Sequence, residues 1–279
     1  MRLTVRKLVH INQVVGDLDK AIGFYTDVFG AQEYWRGYDA EQRRDAGLFV
    51  IGDVCIELFA PRDAESLLGA SLTRYGPSWH SFEWQVPDLD AARQAFQERG
   101  VRLPTDRPDA FFMTHPADCH GMLLELTPLE MAGDPRIREG WSAAPWREHP
   151  LGITGLHNLS VAVRDVAAAS DWLTDLVDGA TVRYRSRITG ADAVGVGVAD
   201  HVVELVQPTG DSGPVADYLS RFGQRLRSIE FGVEDLPRAV AHLRSAGLTV
   251  IEGSRDGAQA IRESDNWGVR WEFAERPVG

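Results

Sequence analysis

Hydrophobic and polar residues alternate along several short stretches of this chain, and each such stretch is followed by a segment with helical spacing. In SFEWQV at 81–86 every second residue is apolar, which predicts a half-buried strand. The next residues, PDLDAARQAFQERG at 87–100, place apolar side chains at helical spacing between Asp88, a typical N-cap residue, and Gly100, a typical stop. The pattern therefore predicts a strand followed directly by an amphipathic helix.

Three further strand-like pieces come after this helix. They read VRL, DAFFMT and GMLLELT, and Pro and Gly residues separate them. The predicted order of the unit is strand, helix and then three strands.

The same unit occurs four times along the chain. Each copy ends on a glutamate inside an apolar strand, and its helix opens on an aspartate 37 to 40 residues earlier. Glu57 and Glu204 lie 147 residues apart, as do Glu125 and Glu272, so alternate units match best. A unit has been doubled and the pair doubled again. The four endings are CIEL at 55–58, LLEL at 123–126, VVEL at 202–205 and RWEF at 270–273.

Length and composition agree with two paired domains. The chain has 279 residues, and the segment 129–152 breaks the pattern with Pro, Gly and charged residues, so we expect domains at 1–128 and 153–279 joined by this linker. A formal charge of −12 argues against nucleic acid as a partner, and no apolar run approaches the length of a membrane span. Only two cysteines are present, which suggests a reduced, cytoplasmic setting.

The βαβββ unit, with its helix announced by DLD and its end on hydrophobic-Glu-hydrophobic, resembles the vicinal oxygen chelate superfamily. This group includes glyoxalase I, methylmalonyl-CoA epimerase, extradiol dioxygenases and bleomycin-resistance proteins. The segments YGPSWHSFEWQVPDLDAARQAFQERGV at 75–101 and THPADCHGMLLEL at 114–126 resemble the epimerases, whereas the four-unit length resembles the extradiol dioxygenases. The resemblance implies an α+β fold of four βαβββ units paired into two domains, each an open barrel-like sheet around a cleft.

The resemblance also implies a divalent metal, Zn, Mn, Co, Ni or Fe(II), at the floor of the cleft. Its matching positions in the first domain are His10, Glu57, Ser81 and Glu125, and Ser81 stands where the family usually has histidine. His80 is one residue out of phase, but a β-bulge would turn it inward, so we include it with His10, Glu57 and Glu125 as a candidate ligand. Ser81, Trp35 and His120 are candidate substrate-binding residues.

The second domain departs further from the family pattern. Alternation of Leu159, Val161 and Val163 predicts that Asn158 faces the cleft and that His157 faces away. Asparagine, serine and carboxylates make a poor transition-metal set, so we expect a degenerate copy. In this copy Glu204 and Glu272 would pair with arginine or tyrosine.

Three functions remain open from the sequence. The first is an isomerase, epimerase or lyase in which the metal stabilises an enolate of a small oxygenated substrate and Glu57 or Glu125 moves the proton. The second is an Fe(II) extradiol-type dioxygenase, and the third a metal-free binding protein of the bleomycin-resistance kind. Each would act on or bind a small molecule as a monomer or homodimer.

Overall fold

The computed structural model describes residues 1–275, and it confirms the four repeated units of one strand, one helix and three strands. The two units of the first domain comprise β1 (Lys7–Val14), α1 (Leu18–Phe29), β2 (Gln32–Asp39), β3 (Arg44–Ile51) and β4 (Val54–Pro61), then β5 (Ser78–Gln85), α3 (Leu89–Gln97), β6 (Thr105–Arg107), β7 (Phe111–Met113) and β8 (Leu124–Thr127). Helix α2 (Leu67–Tyr75) connects them.

The second domain repeats this order. It comprises β9 (Ile153–Ala162), α5 (Val166–Leu176), β10 (Thr181–Ile188), β11 (Ala191–Val198) and β12 (His201–Pro208), the connecting helix α6 (Pro214–Phe222), and β13 (Arg225–Val233), α7 (Leu236–Ser245), β14 (Val250–Glu252), β15 (Gln259–Ile261) and β16 (Arg270–Ala274). The expectation that VRL at 101–103 forms a strand is wrong, because the short strand β6 begins only at Thr105. Residues 98–104 instead connect helix α3 to the edge strand β6.

The aspartates that announce each unit are helix N-caps. In all four units the aspartate has extended backbone, and its carboxylate accepts a hydrogen bond from the backbone N–H three residues later. This bond satisfies one of the free N–H groups of the first helical turn. The four N-caps are Asp17, Asp88, Asp165 and Asp235.

Each domain is one curled, mixed sheet of eight strands with helices on its outer side. The strand order is β2-β3-β4-β1-β5-β8-β7-β6 in the first sheet and β10-β11-β12-β9-β13-β16-β15-β14 in the second. The first strands of the two units, β1 and β5, pair antiparallel at the centre, and each pairs in parallel with the last strand of its own unit. The concave faces of these four strands line the cleft.

Matching contacts hold the two domains together. The Asp200 carboxylate accepts a hydrogen bond from the backbone N–H of Leu8, and the Asp53 carboxylate accepts the equivalent bond from Leu156, both at 2.9 Å. The indole Nε1 of Trp84 donates to Nε2 of His201 at 3.0 Å. The internal repeat is therefore also a structural repeat.

The chain between the two sheets contacts both domains, because it packs near β9 and bonds to the end of α1. Its short helix α4 (Ala144–Glu148) carries Trp146, which is buried and donates to the Gly30 carbonyl oxygen at 3.1 Å. Among residues 1–275, no helix has the length and apolar character needed to cross a membrane.

Candidate metal centre

Polar side chains are concentrated where β1, β4, β5 and β8 run side by side. In the parallel ladders Asn12 is next to Glu57, and Glu83 is next to Glu125. Asn12 also pairs with Ser81 across the antiparallel ladder between β1 and β5. Since strand side chains alternate between faces, this register collects them on the concave face together with His10.

His10 lies at the centre of three carboxylates. Its Nδ1 is 3.2 Å from an oxygen of Glu83, and its Nε2 is 3.2 Å from Glu57 and 4.0 Å from Glu125. Ligand atoms of His10, Glu83 and Glu125 all lie within 4.8 Å of one another, and all three residues are buried. We call these three residues the His10 group.

The donor set and its unmet hydrogen bonds fit a divalent cation. Both ring nitrogens of His10 and Oε2 of Glu83 are buried without a hydrogen-bond partner. An unsatisfied buried polar atom is costly, and imidazole nitrogen with carboxylate oxygen is a common ligand combination for Zn, Mn, Co, Ni and Fe(II). One bound ion would take one of these ring nitrogens together with a Glu83 oxygen, and the other ring nitrogen would keep its carboxylate neighbour.

Electrostatics point the same way. Burial lowers the pKa of His10, but the carboxylates of Glu83, Glu125 and Glu57 outweigh burial and raise that pKa to about 9. Burial raises the pKa of Glu83 to about 8, against the opposing effect of His10. Burial also raises the pKa of Glu57. The cations that face these three buried carboxylates are the His10 imidazole, in direct contact, and the more distant Arg44 guanidinium, 3.9 Å from Glu57.

Asn12 and Ser81 lie beside the His10 group, and Asn12 is hydrogen-bonded to one of its members. The amide of Asn12 donates to Ser81 Oγ at 2.7 Å and to Glu125 Oε2 at 3.1 Å. Ser81 therefore stands beside the cluster, although it offers no strong ligand atom. Sequence reasoning missed Asn12, which lies two residues after His10 on the same face.

His80 does turn towards the cleft, but not into the His10 group. The pairing of β5 with β1 shifts by one residue between Ser81 and Trp79, which is the bulge that the prediction needed. Nδ1 of His80 lies 2.9 Å from Ser81 Oγ, and its ring packs edge-on against Phe59 at 5.7 Å. Burial lowers the pKa of His80 to about 3, so the ring is neutral at physiological pH.

Glu83 is the ligand candidate that sequence reasoning overlooked. It stands in phase with Ser81 in SFEWQV, and the fourth unit has Glu230 at the matching position 147 residues later. These two signals predict a second repeated carboxylate on the concave face. We missed it because the family pattern places its ligand at Ser81 instead.

Arg44 is a second overlooked residue at the cluster. Its guanidinium stacks over Phe59, 3.3 Å from the ring centroid, and lies 3.9 Å from an oxygen of Glu57 and 3.9 Å from Asp39. Arg44 is buried, and its Nε and Nη1 have no hydrogen-bond partner. Arg44 is the first residue of β3, and nothing in the sequence around it indicated this contact.

The other two substrate-binding candidates lie apart from the His10 group. Trp35 is 40% exposed on edge strand β2, opposite Leu48, which in turn lies opposite Glu57, so all three share a face. His120 instead packs its ring against Trp172 of helix α5, with centroids 5.8 Å apart. His120 thus contacts the second domain, and its part in substrate binding stays a prediction.

In the second domain, arginine side chains occupy the place that a metal ion would take among the carboxylates. Arg255 binds Glu204 and donates to Glu230 at 2.9 Å, and Tyr184 donates to Glu204 at 3.0 Å. Arg270 donates to Glu272 at 2.7 Å. The predicted pairing of Glu204 and Glu272 with arginine and tyrosine is confirmed.

The strand phase predicted for the second domain is correct for Asn158 and incomplete for His157. Asn158 occupies the place of His10 and donates to Glu230 at 3.3 Å, but Nδ1 of His157 lies 3.4 Å from the same oxygen. A register shift between Glu230 and Phe231 brings His157 to this side. One amide has replaced the central imidazole.

Comparison with known proteins places the chain in a family. The model of the "Glyoxalase/Bleomycin resistance protein/Dioxygenase superfamily" matches residues 7–126 and 155–273, one match for each domain. Mitochondrial methylmalonyl-CoA epimerase from Bos taurus is 28% identical over 130 residues, which cover 43% of this chain and 73% of that protein. The Mus musculus enzyme is 29% identical over 129 residues, 43% of this chain and 71% of that protein.

One solved structure shares the fold over nearly the whole chain. A mutant of 4-hydroxymandelate synthase from Streptomyces coelicolor has a TM-score of 0.72 at 13% identity, over 99% of this chain and 95% of its own. Methylmalonyl-CoA epimerase from Mycobacterium tuberculosis is 31% identical, with a TM-score of 0.41, over 46% of this chain and 89% of its own. The family matches span both sheets, so the chain belongs to the glyoxalase/bleomycin resistance/dioxygenase superfamily, as its repeated motifs predicted.

Proposed function

We propose that this protein is a metal-dependent enzyme of the vicinal oxygen chelate type that moves a proton next to a carbonyl group of a small oxygenated substrate. The observation that supports the proposal is the His10 group, with its unpartnered imidazole nitrogens inside a cage of carboxylates. Two curated relatives named methylmalonyl-CoA epimerase support isomerase chemistry over ring cleavage.

His10, Glu83 and Glu125 would hold the metal, and Glu57 would serve as the general base. When bound, a divalent ion polarises a substrate carbonyl and stabilises the enolate formed from it. Glu57 is suited to take the proton because it touches His10 yet lies outside the set of mutually close ligand atoms, and burial raises its pKa towards the range of an effective base. This set replaces Glu57 and His80 of the predicted ligands with Glu83.

Other residues of the cleft would position the substrate. Arg44 has two unpartnered guanidinium nitrogens beside Glu57, and these are suited to hold a substrate oxygen. Asn12 donates to both Ser81 and Glu125, which places the Ser81 hydroxyl near Glu125. Trp35 lies on the same face, at the open edge of the sheet. Substrate oxygens would thus be held from several strands of one sheet.

The test is metal analysis of purified, reconstituted protein combined with exchange of the substrate proton. We expect one tightly bound divalent ion per chain, which is lost in Glu125→Gln and retained in the matched variant Glu272→Gln of the second domain. Exchange of the α-proton of methylmalonyl-CoA for solvent deuterium should require the ion and Glu57. Equal metal content in both variants would contradict the proposed site.

The ring-cleaving alternative has less support from the site. Fe(II) oxygenases of this kind typically use two histidines and one carboxylate, whereas the His10 group offers one imidazole. Oxygen uptake with Fe(II) and a catechol panel would favour that alternative. Tight ligand binding that survives chelator treatment, without turnover, would favour a binding protein.

A further inference from the structure

The carboxylates around His10 are almost closed off from solvent. His10, Glu57, Glu83 and Glu125 are each at most 7% exposed. A small molecule therefore reaches these side chains only if part of the cleft wall moves. The part of the wall with the weakest contacts is the one expected to open, because local opening follows the regions with the fewest buried interactions.

Two sides of the cleft are held by buried or backbone contacts. Helix α2 covers the side near the end of β4 through Leu68, which is buried in an apolar cluster with Phe59. Arg136, in the chain between the two sheets, covers the side near the starts of β1 and β4. Its guanidinium donates to the backbone carbonyl oxygens of Val9 and Asp53. Opening either side would expose apolar surface or break bonds to the strands themselves.

The remaining side is the rim where the turn after β2 approaches the edge strand β6. Nη2 of Arg107, the last residue of β6, lies 2.8 Å from Glu41 and 3.5 Å from Asp39. Neither contact is a hydrogen bond, since Nη2 has no partner of suitable geometry. The Glu41 side chain is 75% exposed, so water screens this ion pair. Within residues 1–275, no backbone hydrogen bond crosses this rim.

The second sheet closes the corresponding rim with its backbone. The N–H of Thr189, in the turn after β10, donates to the carbonyl oxygen of Ser254, after β14, at 2.7 Å. Thr189 stands 147 residues after Gln42. The N–H of Gln42 instead bonds the Asp39 carboxylate within its own turn, at 3.1 Å. The rim is thus joined by a backbone bond where arginines fill the cleft, and by ion pairs alone where the His10 group lies.

Asp39 connects this rim to the interior of the first cleft. Its carboxylate lies 3.5 Å from Arg107 and 3.9 Å from Nε of Arg44. Nη2 of Arg44 in turn lies 3.9 Å from Glu57. Charges of alternating sign therefore run from the rim to the carboxylates, and opening of the rim would leave Arg44 as the cation beside Asp39.

We propose that Arg107, Asp39 and Glu41 form a gate, which opens between β6 and the turn after β2 to admit a small molecule to the His10 group. Opening here breaks only screened ion pairs, whereas opening at α2 or at Arg136 would break buried or backbone contacts. The inference rests on the proposed function only for the identity of what enters, and its first test needs neither metal nor substrate.

The experiment measures access to the cleft with a thiol reporter. Leu48→Cys places a thiol opposite Glu57, at a position that is 1% exposed. The full-length, metal-free protein is labelled with iodoacetamide, and labelling is read by peptide mass spectrometry. This reading counts position 48 separately from Cys55 and Cys119. Cys119 is buried in the main apolar core, so its labelling reports unfolding.

In the Leu48→Cys background, Arg107→Gln should accelerate labelling at position 48 by about threefold, the effect expected from removing exposed ion pairs. Arg107→Lys, which keeps the charge, should accelerate it less. The matched control is Arg62→Gln, which removes an exposed ion pair with Asp45 that does not cross the rim, and it should leave the rate unchanged. Added NaCl should accelerate labelling when Arg107 is present and have less effect in Arg107→Gln.

The gate is overturned if Arg107→Gln accelerates labelling no more than Arg62→Gln does, or if Cys119 labelling rises by the same factor, which would show unfolding. Failure of the proposed function has a different signature. If no ion binds but labelling responds to Arg107→Gln, the gate stands and the metal proposal falls. If an ion binds, Arg107→Gln should speed its uptake and its release to a chelator by similar factors, with little change in affinity, because a gate changes entry and exit alike.

Discussion

Glu83 and Glu230 occupy the same place in the two sheets, yet they face different partners. Nδ1 of His10 lies 3.2 Å from Glu83, whereas Nε of Arg255 donates to Glu230 at 2.9 Å. Each glutamate sits in parallel register with the last carboxylate of its domain, Glu125 or Glu272. The two domains thus surround their buried carboxylates with different cationic side chains, histidine in the first and arginine in the second.

Glu83→Gln should lower metal affinity strongly, whereas its counterpart Glu230→Gln should not. The first change removes a charged ligand atom, for which we expect a loss of at least about tenfold in affinity. Competition with a chromogenic chelator measures this directly. Glu230→Gln serves as the control, and equal affinities of the two variants would exclude Glu83 as a ligand.

Glu57→Gln should separate metal binding from chemistry. If Glu57 is the base, the variant keeps its metal and loses α-proton exchange by about 10²-fold or more. Metal content by emission spectroscopy and deuterium uptake by mass spectrometry read the two effects independently. Loss of metal in this variant would instead return Glu57 to the ligand set that the sequence predicted.

Metal affinity should rise with pH. A ligand imidazole must be neutral, and the pKa of His10 is raised to about 9, so a proton competes with the ion at lower pH. Between about pH 6 and pH 8 we expect the apparent affinity for Mn²⁺ to increase by about tenfold per unit for each proton displaced. Titrations in matched buffers test this, and a flat profile would show that binding displaces no proton.

Arg255→Met should destabilise the second domain. The change leaves the buried Glu204 and Glu230 without their common cation, and breaking a buried ion pair costs about 3–5 kcal/mol. Urea unfolding followed by tryptophan fluorescence measures the loss. Adding Glu230→Gln to Arg255→Met should recover part of it, and a loss below about 1 kcal/mol would mean that water or Tyr184 compensates the charge.

The repeat and the caps could be predicted from sequence because both are local. Alternation in SFEWQV and the aspartate before each helix are read within one unit, and the 147-residue spacing relates the units. The ion pairs were harder to foresee. Arg255 meets Glu204 across 51 residues from the loop between β14 and β15, and no periodicity specifies which arginine will reach a given glutamate.

Two bulges decide which face His80 and His157 occupy. A single extra residue reverses the face of a side chain, so the orientation of His80 depended on where β5 shifts its pairing. His157 has the same dependence on β13. Both shifts arise from pairing with a distant strand, and the sequence of either strand alone does not contain them.

Because Arg255 is part of the polypeptide, the second sheet carries its own counter-charge from the moment the chain is complete. On the proposed function, the first sheet instead supplements His10 and Arg44 with the positive charge of a bound ion. Duplication has then produced one half whose final state depends on sequence alone and another whose final state follows the supply of metal in the cell. On that proposal, the hydrogen bonds of Asp200 with Leu8 and of Trp84 with His201 join a sheet that takes up an ion to one that needs none.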